Sequence, residues 1–166
     1  LDDLSSKISL VKGMVSYVQV DVMDGIFVPD KSWPYSGWQE FKTLLSEDKA
    51  LPYWQDINYE FDLMVKTPAP IVDALVLLGA SRIIFHIESV PEVELHALIK
   101  KAKESDIEVG IALNNDTPLE ALTPFIKEIN FVQFMGIARI GFQGQPFDER
   151  VLERIEKLRA QYHDLI

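Results

Sequence analysis

The stretch VQVDVMDGIFVP, residues 18–29, reads as a buried strand that runs into a loop. Val18, Val20 and Val22 alternate with Gln19, Asp21 and Met23, so the two sets face opposite sides of a sheet. Asp24-Gly25 marks the turn that ends the strand, and Asp24 suits an Asx turn there. Asp21 is different. A charged residue inside an apolar run needs a partner or a task. A buried lysine or backbone N–H groups would supply the partner; catalysis would supply the task.

Outward from this stretch, Tyr17–Met23 is the first of five short apolar runs. The others are Tyr59–Val65, Arg82–Ile87, Glu108–Leu113 and Phe131–Met135. The last four begin about 23 to 26 residues apart, the spacing of strand–helix–strand units. Their near-continuous apolarity suits parallel strands covered on both faces. Between them, Thr67-Pro68 opens a helix that Gly79 closes, with Ile71, Leu75 and Leu78 inward. Ser89 leads into a second at Pro91, with Val93, Leu95, Leu98 and Ile99 inward. Thr117-Pro118 opens a short third, interrupted by Pro124. Pro146 begins the last, striped by Phe147, Val151, Leu152, Ile155 and Leu158. The longer segment Asp30–Asp56, with Trp33-Pro34-Tyr35 and a helix at Gln39–Leu45, reads as a loop elaborated over the strand ends.

Two architectures use this alternation, the open doubly wound sheet and the closed (β/α)8 TIM barrel. No G-x-G-x-x-G follows the first strand and no P-loop occurs, so no nucleotide cofactor is expected and the barrel is favoured. Five strands cannot close an eight-stranded ring. The chain is therefore expected to be an incomplete barrel, a single partial domain over residues 1–166, with three more strands in the intact protein. The opening LDDLSSK reads as the middle of a helix, which suggests a trimmed chain. Open edge strands would promote self-association, so a homo-oligomer is among the expectations.

Composition narrows the function. The formal net charge of −10 argues against nucleic acid and against an anionic membrane surface. No apolar stretch approaches the length of a membrane span. The absence of cysteine excludes disulfides and thiolate chemistry and suits a cytoplasmic location.

Barrel enzymes place their chemistry at the C-terminal ends of the strands. Those ends carry Gln19, Asp21, Met23 and Asp24, then Asp62 and Met64, then His86 and Glu88, then Asn114 and Asn115, then Met135. Asp62, another carboxylate in an apolar strand, could pair with Asp21 for acid/base work. His86 reads first as a hydrogen-bonded core residue; His96 and His163 read as surface residues. Met23, Met64 and Met135 suit either core packing or the flexible lining of one pocket. GFQGQPF, residues 141–147, places glycines before a helix start, a pattern that can bind anions.

Taken together, DVMDGIFVP (21–29), DLMVKTP (62–68), IIFHIES (83–89), GIALNNDTPLE (110–120) and FMGIARIGFQGQPF (134–147) resemble the ribulose-phosphate 3-epimerase family in order and spacing. The resemblance implies a (β/α)8 barrel of which this chain supplies strands two to six. It implies inversion at carbon 3 of a ketopentose 5-phosphate, interconverting ribulose and xylulose 5-phosphates with two aspartates on opposite faces. Asp21 matches the first aspartate, also a metal ligand; the second belongs to the seventh strand. Met23, Met64 and Met135 match the methionines over the pocket. Gly141, Phe142, Gly144 and Gln145 match part of the phosphate grip. The family metal, zinc or iron, is held by two histidines and the two aspartates. Here Gln19 and Asp62 stand at the histidine positions. A site built on Asp21 and Asp62 would suit magnesium or manganese better. A barrel that binds a phosphosugar without turning it over is the alternative expectation. A decarboxylase of the same superfamily is disfavoured, because its D-x-K-x-x-D strand motif is absent.

Overall fold

The structure, a computed structural model, describes residues 2–47 and 49–162. After helix α1 (Asp2–Val11), five strands alternate with helical segments. The strands are β1 (Tyr17–Met23), β2 (Asn58–Met64), β3 (Arg82–His86), β4 (Glu108–Leu113) and β5 (Phe131–Phe134). Helices α2 (Trp38–Ser46), α3 (Ala69–Leu77) and α4 (Glu92–Lys103) connect the first four. A 3₁₀ turn, Leu119–Leu122, connects β4 to β5, and α5 (Arg150–Gln161) follows. All five strands pair in parallel and in chain order. This is the expected α/β alternation, part of a (β/α)8 barrel. Among the described residues no helix is long and apolar enough to cross a membrane.

The sheet is curled. Gln133 of β5 donates a hydrogen bond to Asp62 of β2 at 3.0 Å, across two intervening strands. In a flat sheet those strands would lie about 14 Å apart, beyond the reach of the two side chains. Arg82 of β3 likewise lies over Tyr17 of β1 at 4.3 Å and Phe131 of β5 at 5.4 Å. Inner side chains that meet across so many strands require the curvature of a barrel wall.

Alternation then divides the strands. Phe61, Leu63, Ile83, Phe85, Val109 and Ile111 are buried on the outer face with Ile71, Leu75, Leu95 and Ile99 of the helices. Gln19, Asp21, Asp62, Arg82, His86 and Gln133 occupy the inner face. Gly110 is inner too, and a Cβ there would lie 2.3 Å from the Phe131 ring. Only glycine lets that ring lie against β4.

Helix starts depart from expectation. α3 begins at Ala69, and no side chain caps it. Ser89 bonds back to the His86 carbonyl instead of capping α4, which starts after Pro91; Val93 in its first turn is exposed. α5 begins at Arg150 instead of Pro146. Asp148 intervenes, its carboxylate taking both the backbone N–H and the guanidinium of Arg150. Phe147 and Leu152 are consequently exposed, and Val151 and Leu158, seven residues apart, are the buried stripe. His163 lies outside the described residues.

Candidate functional site

Strand register places Asp21 beside Asp62 and Met23 beside Met64. Gln19 sits one inward position before Asp21, and its amide nitrogen reaches both carboxylates. Nε2 donates to Asp21 Oδ1 at 2.9 Å and to Asp62 Oδ2 at 3.4 Å. Asp62 is almost completely buried. Its Oδ2 also accepts from Gln133 Nε2, and its Oδ1 is 2.9 Å from His86 Nε2. A carboxylate oxygen accepts, so the imidazole donates through Nε2. His86 is fully buried, and its Nδ1 has no hydrogen-bond partner among the described residues. Three donors on Asp62 offset the desolvation of a buried charge.

Asp21 is less enclosed. Burial raises its pKa above the usual aspartate value. The Gln19 hydrogen bond opposes that shift, the negative charge of Asp62 adds to it, and His86 opposes it. A carboxyl shifted upward at a strand end is suited to accept and return a proton.

Asp21 opens into a cavity of about 390 Å³. Gln19, Asp62, Met23, Met64, Gln133, Met135, Gly141, Phe142 and Gln143 also line it, together with Asp30 and Ile137. The three expected methionines therefore do meet in one pocket, while Met14 lies exposed elsewhere. The loop Gly141–Gln145 divides. Gly141 and Phe142 line the cavity, whereas Gly144 and Gln145 do not. Gln145 holds the loop from within. Its Oε1 accepts from the Arg139 N–H, and its Nε2 donates to the carbonyls of Arg139 and Phe142. Gly141 adopts φ +81°, and a Cβ there would press on Val28 at 2.9 Å, so the loop packs on the segment after β1. The glycines do not lead straight into a helix N-terminus, because α5 starts at Arg150.

Asp24 is structural, as its turn signal suggests. Its Oδ1 accepts from the N–H groups of Ile26 and Phe27, and its Oδ2 accepts from the Lys66 N–H at 2.7 Å. The Asp30–Asp56 segment returns to the strand end through Ser32. That hydroxyl accepts the Met23 N–H and donates to the Asp21 carbonyl. Trp33, which precedes Pro34 through a cis peptide bond, then packs edge-on against Phe41 of α2. His96, expected at the surface, is half-buried against Phe125 and bonds Glu128. Sequence reading missed Gln133. Its signal was available, since it lies two residues before Met135 on the same face, but its meeting with Asp62 depends on the curl of the sheet.

A profile of the ribulose-phosphate 3 epimerase family matches residues 3–165. The chain belongs to that family. A ribulose-phosphate 3-epimerase, cytoplasmic isoform, from Oryza sativa subsp. japonica is 30% identical over 158 residues, covering 94% of this chain and 64% of the relative. A ribulose-phosphate 3-epimerase of Schizosaccharomyces pombe is 31% identical over 149 residues, covering 90% and 61%. One from Bacillus subtilis is 29% identical over 148 residues, covering 89% and 62%. The chain thus spans about three fifths of the length of these curated relatives.

The family generally works with a divalent metal. The donor set here does not suit one. Asp62 has both oxygens occupied by N–H donors. Gln19 directs an amide nitrogen, which cannot ligate, at the two carboxylates. The His86 imidazole is spent on Asp62. Among the described residues no group of three or more His, Cys, Asp or Glu side chains is arranged to hold a metal ion.

Proposed function

We propose that this chain is part of an epimerase that interconverts ribulose and xylulose 5-phosphates by inversion at carbon 3. The observation that carries the reading is Asp21, a carboxyl raised by burial at the end of β1, opening into a methionine-lined cavity. Asp21 takes the carbon 3 proton, and a second aspartate from a later strand returns one to the opposite face. Asp62 is not that second group. It stands beside Asp21 in register and shares a hydrogen-bond donor with it, so both lie on one side of a substrate. Met23, Met64 and Met135 form an apolar bed for the sugar. Gly141 and Phe142 supply part of the phosphate contact, and Gly144 and Gln145 shape the loop that presents them. The chain forms one partial barrel domain of a longer cytoplasmic protein, whose open edges are covered by its remaining strands or by a second copy.

The test is coupled detection of xylulose 5-phosphate formed from ribulose 5-phosphate by full-length protein, wild type and Asp21→Asn. Turnover in the wild type that collapses in the variant supports the reading; turnover that survives the substitution removes Asp21 as acid/base. One observation favours a second reading, a barrel that binds a phosphosugar without turnover: Asp62 is saturated by amides and an imidazole. Wild-type protein that binds pentose phosphates in calorimetry but turns none over would establish it.

A further inference from the structure

The cluster around Asp62 is more than an incomplete metal site. A cation placed between Asp21 and Asp62 would approach Asp21 Oδ1 and Asp62 Oδ2. Those are the two atoms that Gln19 Nε2 reaches, at 2.9 and 3.4 Å. Asp62 Oδ2 takes a second amide from Gln133 at 3.0 Å, and Oδ1 takes the His86 ring at 2.9 Å. The two amides carry partial positive charge into the space that a cation would need, while His86 holds the opposite oxygen of Asp62. Displacing the two amides would cost Gln19 Nε2 both of its acceptors and would leave Gln133 Nε2 only the Met135 sulfur, at 3.6 Å.

We propose that Gln19 and Gln133 occupy the metal's seat, so that this half of the site is a metal-free hydrogen-bonded clamp in which Gln19 is the positioning residue for Asp21. The amide neutralises no charge. It spreads the repulsion of two neighbouring carboxylates over N–H donors and holds them at one separation. It also commits Asp21 Oδ1 and leaves the other oxygen to meet a substrate. Asp62, anchored by His86, fixes Gln19 in turn. The clamp stands on geometry alone; only its effect on turnover rests on the epimerase reading.

The test uses full-length protein, dialysed against chelator and back-titrated with zinc chloride and then manganese chloride, with calorimetry and elemental analysis as readouts. The wild type is expected to retain and rebind neither metal. Gln19→His with Asp62→His, which places imidazoles at both positions, is expected to gain stoichiometric zinc. Gln19→His with Gln133→Leu, which clears both amides and leaves the buried Asp62–His86 pair intact, is expected to gain zinc as well and covers the case in which the first double variant does not fold. Stoichiometric zinc or manganese in the wild type, lost in Asp21→Asn, overturns the proposal, as does a folded Gln19→His, Gln133→Leu protein that gains no zinc. In turnover, chelator should leave the wild-type rate unchanged. Gln19→Leu should lower kcat about 100-fold with KM changed less than about threefold; an unchanged kcat removes the positioning role. A wild type without turnover defeats the epimerase reading but leaves the metal titrations to decide the clamp.

Discussion

The inner face of the sheet carries two polar clusters, one at each end, and they are built on opposite plans. At the N-terminal ends of the strands Arg82 lies between Glu60 and Glu108, over the rings of Tyr17 and Phe131. There a cation meets anions, and aromatic rings cover it. At the C-terminal ends Asp21 and Asp62 stand together with amides and an imidazole but no lysine or arginine. In the first cluster the charges answer one another. The second keeps negative charge that its surroundings only partly compensate, as expected where a ligand is to be handled. Carboxylates on the same sheet are therefore neutralised at one end and left available at the other, and the presence of a counter-charge separates the two.

The comparison breaks most readily at Asp21. Asp21→Asn should lower turnover of the full-length protein about 1,000-fold or more. The same substitution should not destabilise the fold. Because the folded pKa of Asp21 is raised above 3.8, the native state binds more protons than the unfolded state in the window above that value. Wild-type stability therefore falls as pH rises through that window, and the asparagine protein escapes this loss. Urea midpoints should show the variant gaining on the wild type from pH 3 to pH 7; a variant that loses ground instead would mean that Asp21 is held by stabilising partners, like Arg82.

Asp62→Ala should cost about 3 kcal/mol, because His86 and Gln133 lose a buried charged acceptor. A loss below about 1 kcal/mol in urea unfolding would show that the cluster is not the anchor of its end. Gly110→Ala should cost about 2 kcal/mol through the clash with Phe131, and Gly110→Ala with Phe131→Leu should recover most of it. Arg82→Met should cost the least, about 1 kcal/mol, since the guanidinium is partly exposed, and should leave turnover within about twofold. A large kinetic effect at Arg82 would erase the distinction between the two ends.

Much of this arrangement was legible in the sequence. The β-branched runs stand out between polar stops, and strict alternation puts Gln19, Asp21 and Met23 on one face whatever surrounds them. Asp24 before glycine announced its turn. The Gln133–Asp62 contact was not legible, because it spans 71 residues and arises only from the curvature of the whole sheet. Helix starts were displaced for local reasons that composition hides. Asp148 holds the chain ahead of α5, and Ser89 spends its hydroxyl on the preceding strand. Gln145 enters the site only through the family resemblance of its loop; that its amide braces the loop from within depends on the loop's fold and is not written in the residue's position.

The three bonds of Asp24 have a consequence for how this scaffold can change. One oxygen shapes the loop after β1, and the other grips the N–H group of Lys66, two residues past the end of β2 and 42 residues downstream of Asp24. The two rim segments are therefore stitched together and do not vary as separate modules. A loop transplanted after β1 will keep its shape only if it brings an aspartate to this position. Length changes after β2 must begin beyond Lys66, so diversification of this rim is channelled into the long segment that starts at Asp30.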